Sequence, residues 1–162
     1  MIIYNRIIKK DFKQVVQIWN KTQPNSIVSI MGKSVILFYL KYFFSDKFGK
    51  NFGLAAKKNK KIIGFILFGR DAFVIRKLFF KKFFYLTFSL LKHLVCFRFK
   101  SCYLYFETIL IIFVRRIIFN KYKKKNYSEL LFIGILEKYS NQGIGRSLYY
   151  KSLKYLKEFN YI

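Results

Sequence analysis

The sequence is poor in proline, cysteine, histidine and acidic residues. Its 162 residues include one Pro, two Cys, one His and seven Asp or Glu, against 32 Lys or Arg. One Pro and eight Gly exclude a collagen-like or Pro/Gly-rich chain. Two Cys in a chain of this length exclude a disulfide-stabilised scaffold. With a single His and two Cys, we also expect no metal site.

What the chain has in excess is positive charge together with apolar residues. The formal net charge is +25, yet 54% of the residues are apolar and 22% are aromatic. A disordered basic tail would lack those apolar residues, so the composition predicts one folded domain. A domain of this size buries roughly two thirds of its unfolded surface. An AT-rich codon bias would also enrich Lys, Ile, Phe, Asn and Tyr, so the charge alone does not indicate a function.

Long apolar runs are missing as well. No uncharged apolar run reaches the roughly 18 to 20 residues that a membrane-spanning helix needs, so we expect no transmembrane helix. The apolar start of the chain is interrupted by Asn5 and Arg6, which is not typical of a signal peptide. Cys96 and Cys102 are expected to be free thiols, which suits a reducing compartment. We therefore expect a cytoplasmic protein.

The apolar patterning predicts an α/β (α+β) fold. Asp11 is placed to cap the first helix, and Lys58-Asn59-Lys60 separates two apolar runs as a hairpin turn would. The predicted elements are a strand over 2–8, a helix from Asp11 to about Lys21, a helix from about Ile27 to Phe44, strands over 52–57, 61–68 and 128–136, and a helix from Gly143 to about Glu158.

The segment 72–126 differs in composition from the rest of the chain. It carries 13 Lys or Arg with Glu107 as its one acidic residue, and basic pairs alternate with Phe, Leu and Ile. This pattern predicts a basic amphipathic helical insertion of two or three helices. Such helices could bind anionic lipid headgroups, or they could form a helical cap whose charge reflects codon bias. Nucleic-acid binding is disfavoured because the charges are spread through apolar helices rather than gathered in a stripe.

The stretch from 129 to 156 is the most informative about chemistry. An apolar strand is followed by a polar loop, and Gly143-Ile144-Gly145 then enters a helix. Small residues there allow a ligand to approach the backbone, and first-turn N–H groups can donate to an anion beside Arg146. The P-loop and dinucleotide-binding patterns are both absent. The alternative interpretation of the two glycines alone is a tight strand-to-helix turn.

At these residues the sequence resembles the GNAT superfamily of N-acetyltransferases. The family signature is an apolar strand followed by Gln/Arg-x-x-Gly-x-Gly/Ala at the start of a helix. Here the matching run is Ser140-Asn141-Gln142-Gly143-Ile144-Gly145, with Ser140 as a departure from the first position. The resemblance implies a GNAT-like mixed sheet flanked by helices, in a single domain over 1–162 that contains the insertion over 72–126.

The resemblance also implies acetyl-CoA as co-substrate and a small amine or amino sugar as acceptor. By the family pattern, Glu129 is the candidate general base that accepts the proton of the amine. Its alternative is an exposed strand-end Glu paired with the lysines at 123–125. The coenzyme residues implied are the strand main chain at Ile133, Gly134 and Ile135 for the pantetheine arm, and Asn141, Gln142, Gly143, Ile144, Gly145 and Arg146 for the pyrophosphate.

The fifth family strand, and the Tyr acid that follows it, have no counterpart before Ile162. The resemblance therefore implies a C-terminally truncated or frame-shifted remnant of doubtful activity, or a chain whose partner supplies the missing strand. An uncovered apolar fourth strand would also favour self-association. The alternative function is a non-catalytic basic amphipathic protein, peripherally bound at the inner face of an anionic membrane.

Overall fold

The structure is a computed structural model that describes residues 1–45, 51–69, 103 and 129–158. The predicted insertion over 72–126 lies outside the described residues except for Tyr103. His93, Cys96, Cys102 and the lysines at 123–125 also lie outside them.

The described strands form one four-stranded antiparallel sheet in the order β1-β2-β3-β4. Its strands are β1 (Ile2–Arg6), β2 (Phe52–Lys58), β3 (Lys61–Gly69) and β4 (Glu129–Ile135). The predicted strands are confirmed to within two residues at each end. β3 is buried along nearly its whole length, which is why its sequence is apolar at almost every position rather than at alternate ones.

The hairpin between β2 and β3 is confirmed at the predicted turn. Its central residues Asn59 and Lys60 have φ values of 50° and 63°. Positive φ at both central residues is the requirement of a type I′ turn, whose twist matches that of the strands it joins. The turn fixes the register, with Lys58 opposite Lys61.

The helices are α1 (Phe12–Thr22), α2 (Ile27–Ile30), α3 (Lys33–Phe43) and α4 (Ile144–Glu158). The single helix expected from Ile27 to Phe44 is wrong, because the chain breaks at Gly32. Gly32 has a φ of +104°, which a right-handed helix cannot accommodate. Its carbonyl accepts the N–H of Val35 at 3.0 Å and so begins α3.

Asp11 is the N-cap residue of α1, as predicted, but its side chain does not cap this helix. A 3-10 turn over Lys9–Asp11 precedes the helix, and Asp11 makes no side-chain capping hydrogen bond to it. Instead its carboxylate accepts the backbone N–H of Ile8 at 3.2 Å and the Lys57 ammonium at 2.7 Å.

Helices cover both faces of the sheet, as the fold class requires. On one face α1 and α3 pack around the fully buried Trp19, whose ring lies against Phe65 of β3 and Phe132 of β4. On the other face α4 places Leu148 and Leu156 in a second apolar core with residues of β2 and β3. β4 therefore lies between α1 and α4, at the end of the described sheet.

Within the described ranges, no helix combines the length and the apolar character that crossing a membrane requires.

Candidate functional site

The chain leaves β4 and enters α4 through a short turn with two left-handed residues. After a 3-10 turn over Glu137–Tyr139, Asn141 has a φ of 60° and Gly143 a φ of 72°. The N–H of Ser147 donates to the Gly143 carbonyl at 2.9 Å, so α4 begins there. The N–H groups at the start of a helix have no intrahelical acceptor. They therefore form a donor surface at the end of β4.

The two glycines of the turn are needed for different reasons. At Gly143 the reason is backbone conformation, since a side chain there would meet no atom within 4 Å but φ is +72°. At Gly145 the reason is contact, because a Cβ would lie 2.9 Å from Ile135 Cδ1 and 3.7 Å from Ile133 Cδ1. The first turn of α4 thus packs directly on β4.

The structure brings most of the predicted coenzyme residues together at this turn. Ile133, Ile135 and Gly145 are in close proximity, and Ile144 is buried to 2% exposure and anchors the helix start. Asn141, Gln142, Gly143 and Arg146 are exposed on the turn. The Gln142 side chain donates to the Lys138 carbonyl at 3.2 Å.

The electrostatics of the turn favour an anion. The N-terminal end of a helix carries partial positive charge, worth roughly 0.3–1 kcal/mol to a nearby anion at an exposed site. Arg146 adds a full positive charge in the first turn, and its guanidinium lies 5.7 Å from the centroid of the Tyr150 ring. The N–H donors and the positive charge of Arg146 therefore both favour an anionic ligand.

The main chain of β4 presents alternate residues to its two sides. The N–H of Leu136 donates to the Ile63 carbonyl at 2.9 Å, and Gly134 lies opposite Phe65. Because hydrogen-bonding direction alternates along an antiparallel strand, Ile133 and Ile135 direct their N–H and C=O groups away from β3. Of the three residues expected to pair with the coenzyme arm, these two have outward-facing groups.

Gly134 packs instead on the α1 face. A Cβ at this position would lie 2.7 Å from Thr22 Oγ1 and 2.9 Å from Phe65 Cε1. The absence of a side chain therefore lets the end of α1 approach β4 closely.

Glu129 lies at the opposite end of β4 and is not brought together with the turn. It is half-buried and pairs with Gly69. Six residues separate it from Ile135, which at about 3.3 Å per residue is about 20 Å. Between them Leu131 has no partner on β3, since Phe132 pairs with Leu67 and Leu130 with Phe68. This β-bulge changes the direction of the strand between the two predicted parts of the site.

One residue at this site could not be assigned to it from the sequence. The side-chain amide of Gln23, at the C-terminal end of α1, donates to the Ile133 carbonyl at 3.0 Å. The two residues are 110 positions apart, so no local pattern connects them. The polar loop at 22–26 was the one available clue, and it predicts only a loop.

A cleft of about 410 Å³ opens where the chain leaves β4, between α1 and the start of β3. Lys21, Lys61 and Lys138 line it together with the Tyr139 ring, and no carboxylate is among its described lining residues. The cleft therefore presents positive charge beside the turn. In the described part of the chain, no three His, Cys, Asp or Glu side chains are grouped so as to hold a metal ion.

Comparison with known proteins identifies the family of this chain. Residues 12–162 match the model of the acetyltransferase (GNAT) family, and the chain belongs to this family. The coenzyme of the family is acetyl-CoA. The resemblance inferred from the Ser140–Gly145 run is thereby confirmed.

A solved structure supports the fold independently. The crystal structure of PaiA N-acetyltransferase from Thermoplasma acidophilum, in complex with coenzyme A, superposes with a TM-score of 0.53 at 14% identity. The match covers 99% of this chain and 74% of that protein. At this identity the likeness concerns the fold alone. No curated protein matches the sequence.

Proposed function

We propose that the chain is an N-acetyltransferase that transfers the acetyl group of acetyl-CoA to the amine of a small molecule, such as an amino sugar. The observation that carries this proposal is the turn at Gly143, where a left-handed glycine opens α4 and the following Gly145 packs on Ile133 and Ile135. This arrangement places free N–H donors beside the outward-facing main chain of β4 in a member of an acetyltransferase family.

In this proposal the turn binds the pyrophosphate of the coenzyme. The N–H groups of the residues from Asn141 to Arg146 donate to phosphate oxygens, and the Arg146 guanidinium neutralises part of their charge. Lys138 and the lysines of the neighbouring cleft raise the local concentration of the polyanionic coenzyme through their field.

The pantetheine arm then follows the outer edge of β4. Ile133 and Ile135 offer outward-facing N–H and C=O groups to its amides, as a neighbouring strand would. The arm runs from the turn towards Glu129, and this direction would place the thioester near the end of β4 that is opposite the turn. The separation of Glu129 from the turn therefore suits an extended coenzyme that is held at one end and reacts at the other.

The chemistry requires one proton acceptor. The amine nitrogen attacks the thioester carbonyl carbon, the C–S bond breaks, and the sulfur leaves as a thiolate. The nitrogen loses a proton, which we assign to the Glu129 carboxylate. A proton from solvent water then neutralises the coenzyme A thiolate.

The proposal is tested by titrating coenzyme A into the protein and into Gly143→Glu by calorimetry. A carboxylate at this position would meet the phosphates, so we expect at least a tenfold loss of affinity. The matched control is Gly32→Glu, because Gly32 also precedes a helix, has a positive φ and has no atom within 4 Å of the point that a Cβ would occupy. Gly32→Glu should bind coenzyme A as the parent does. A folded parent that binds no coenzyme A would refute the proposal.

The proposed partners are the amine acceptor and a strand that would complete the sheet beyond β4, with the coenzyme held between that strand and the main chain of Ile133 and Ile135. Leu130 and Ile133 of β4 are 45% and 36% exposed, which supports self-association or a strand-supplying partner. The membrane-surface alternative depends on the segment 72–126, which the structure does not describe apart from Tyr103.

A further inference from the structure

The outer edge of β4 is already in use within the described chain. The Ile133 carbonyl, which faces away from β3, accepts a hydrogen bond from Gln23 Nε2 at 3.0 Å. In the proposed function this carbonyl is an acceptor for an amide N–H of the pantetheine arm. The Gln23 carboxamide therefore occupies, with the same type of donor, a position that the coenzyme requires.

The Gln23 bond is of a kind that a ligand can replace. It is solvent-accessible, and a hydrogen bond of this type contributes about 1 kcal/mol net. Replacing one amide donor by another leaves the carbonyl satisfied, so exchange creates no unpaired polar group. The two hydrogen bonds to the carbonyl are therefore similar in free energy. The remaining contacts of the coenzyme decide which donor occupies it.

Gln23 is also joined to the loop that follows α1. Its N–H donates to the Trp19 carbonyl at 2.8 Å, and its own carbonyl accepts the N–H of Ser26 at 3.2 Å. Ser26 Oγ in turn lies 3.4 Å from Trp19 Nε1 and donates to Ser29 Oγ at 2.8 Å. Gln23 thus belongs to a hydrogen-bonded turn that includes the indole N–H of Trp19, so we expect a change at Gln23 to alter the surroundings of that indole.

We propose that the Gln23 side chain competes with the acyl-CoA arm for the Ile133 carbonyl, so that coenzyme binding displaces it. This inference rests on the proposed function. It adds to the site Gln23, the residue directly after α1, and makes displacement of its side chain a step of coenzyme binding.

The test is calorimetric titration of coenzyme A into the full chain and into Gln23→Met, which keeps the length of the side chain but removes the donor. Loss of a competing bond worth about 1 kcal/mol should tighten binding about fivefold. The matched control is Gln17→Met on α1, whose exposed side chain lies at the cleft, and it should change the affinity less than twofold. Thermal denaturation confirms that each variant is folded.

A second measurement reports displacement directly. The Gln23 side-chain NH2 resonances, assigned by their loss in Gln23→Met, should shift when coenzyme A is added at saturation, and the Gln17 resonances should not. Trp19 fluorescence should change in parallel, since Trp19 is the only Trp in the chain.

The outcomes separate the two proposals. If the parent binds coenzyme A and Gln23→Met binds equally or more weakly, the competition is refuted while the proposed function stands. Unmoved Gln23 resonances at saturation refute it as well. If neither the folded parent nor the variant binds coenzyme A, the proposed function fails and this inference fails with it.

Discussion

Asp11 and Lys57 form an ion pair that joins the start of α1 to β2. Lys57 Nζ lies 2.7 Å from Asp11 Oδ1, and the two side chains are 16% and 5% exposed. The second carboxylate oxygen of Asp11 accepts the Ile8 N–H. One carboxylate thus connects the segment after β1, the first helix and the second strand.

Removing this carboxylate should destabilise the fold. Asp11→Ala leaves the Lys57 ammonium and the Ile8 N–H without their acceptor, and we expect a loss of about 2–3 kcal/mol in the free energy of unfolding. Urea denaturation followed by Trp19 fluorescence measures it. Lys9→Ala, an exposed change in the same 3-10 turn, should stay within about 0.5 kcal/mol. Equal effects of both variants would show that the ion pair contributes nothing specific.

The contact between Gly145 and Ile135 predicts a rescue. In Gly145→Ala the new Cβ would lie 2.9 Å from Ile135 Cδ1. The Ile135 side chain must shift to admit this Cβ, and the cost of that shift should offset the roughly 1 kcal/mol that Ala gains over Gly in a helix, so this variant should be no more stable than the parent. Ile135→Val removes the Cδ1 atom. The double variant should therefore be more stable than the sum of the two single changes predicts.

That prediction is checked by a double-mutant cycle on free energies of unfolding from urea titrations. An interaction energy of about 1 kcal/mol in the stabilising direction is expected. An additive result would mean that the Ile135 side chain moves aside without strain, and that α4 does not depend on a close approach to β4.

Much of the fold followed from local patterns in the sequence. The hairpin was predictable because the Lys58-Asn59-Lys60 turn separates two apolar runs. The start of α4 was predictable because Gly143 and Gly145 are spaced as the family signature requires. In both places one short segment contains the residues that determine the structure.

The features that the sequence did not reveal depend on contacts between distant residues. The polar capping residue Asp11 suits a helix N-terminus, yet it binds Lys57, 46 positions away. The break at Gly32 depends on a single φ angle within an apolar, helix-like pattern. The bond from Gln23 to Ile133 exists only once α1 packs on the sheet. Local propensity cannot predict such contacts because tertiary packing overrides it.

Gly134 provides a test of how closely α1 approaches β4. In Gly134→Ala the new Cβ would lie 2.7 Å from Thr22 Oγ1 and 2.9 Å from Phe65 Cε1. Overpacking of this kind costs about 1–3 kcal/mol, and we expect a loss of about 2 kcal/mol in a urea titration. Thr22→Ala in the same chain removes the nearer atom and should restore part of the loss. If Gly134→Ala is neutral, the end of α1 is not fixed on β4.

Glu129 is the residue on which the proposed chemistry depends. If its carboxylate accepts the proton of the amine, Glu129→Gln should lower kcat by about 10² to 10⁴. The affinity of this variant for coenzyme A should change less than twofold, because Glu129 is about 20 Å along β4 from the turn that would bind the pyrophosphate.

The matched control is Glu137→Gln, since Glu137 is exposed in the 3-10 turn after the strand. That variant should keep the activity of the parent. The assay measures acetyl transfer from acetyl-CoA to a panel of small amines and amino sugars. The reaction is monitored through the free thiol of the coenzyme A that it releases. A Glu129→Gln protein with the parent's kcat would remove Glu129 as the base and leave the role to a residue outside β4.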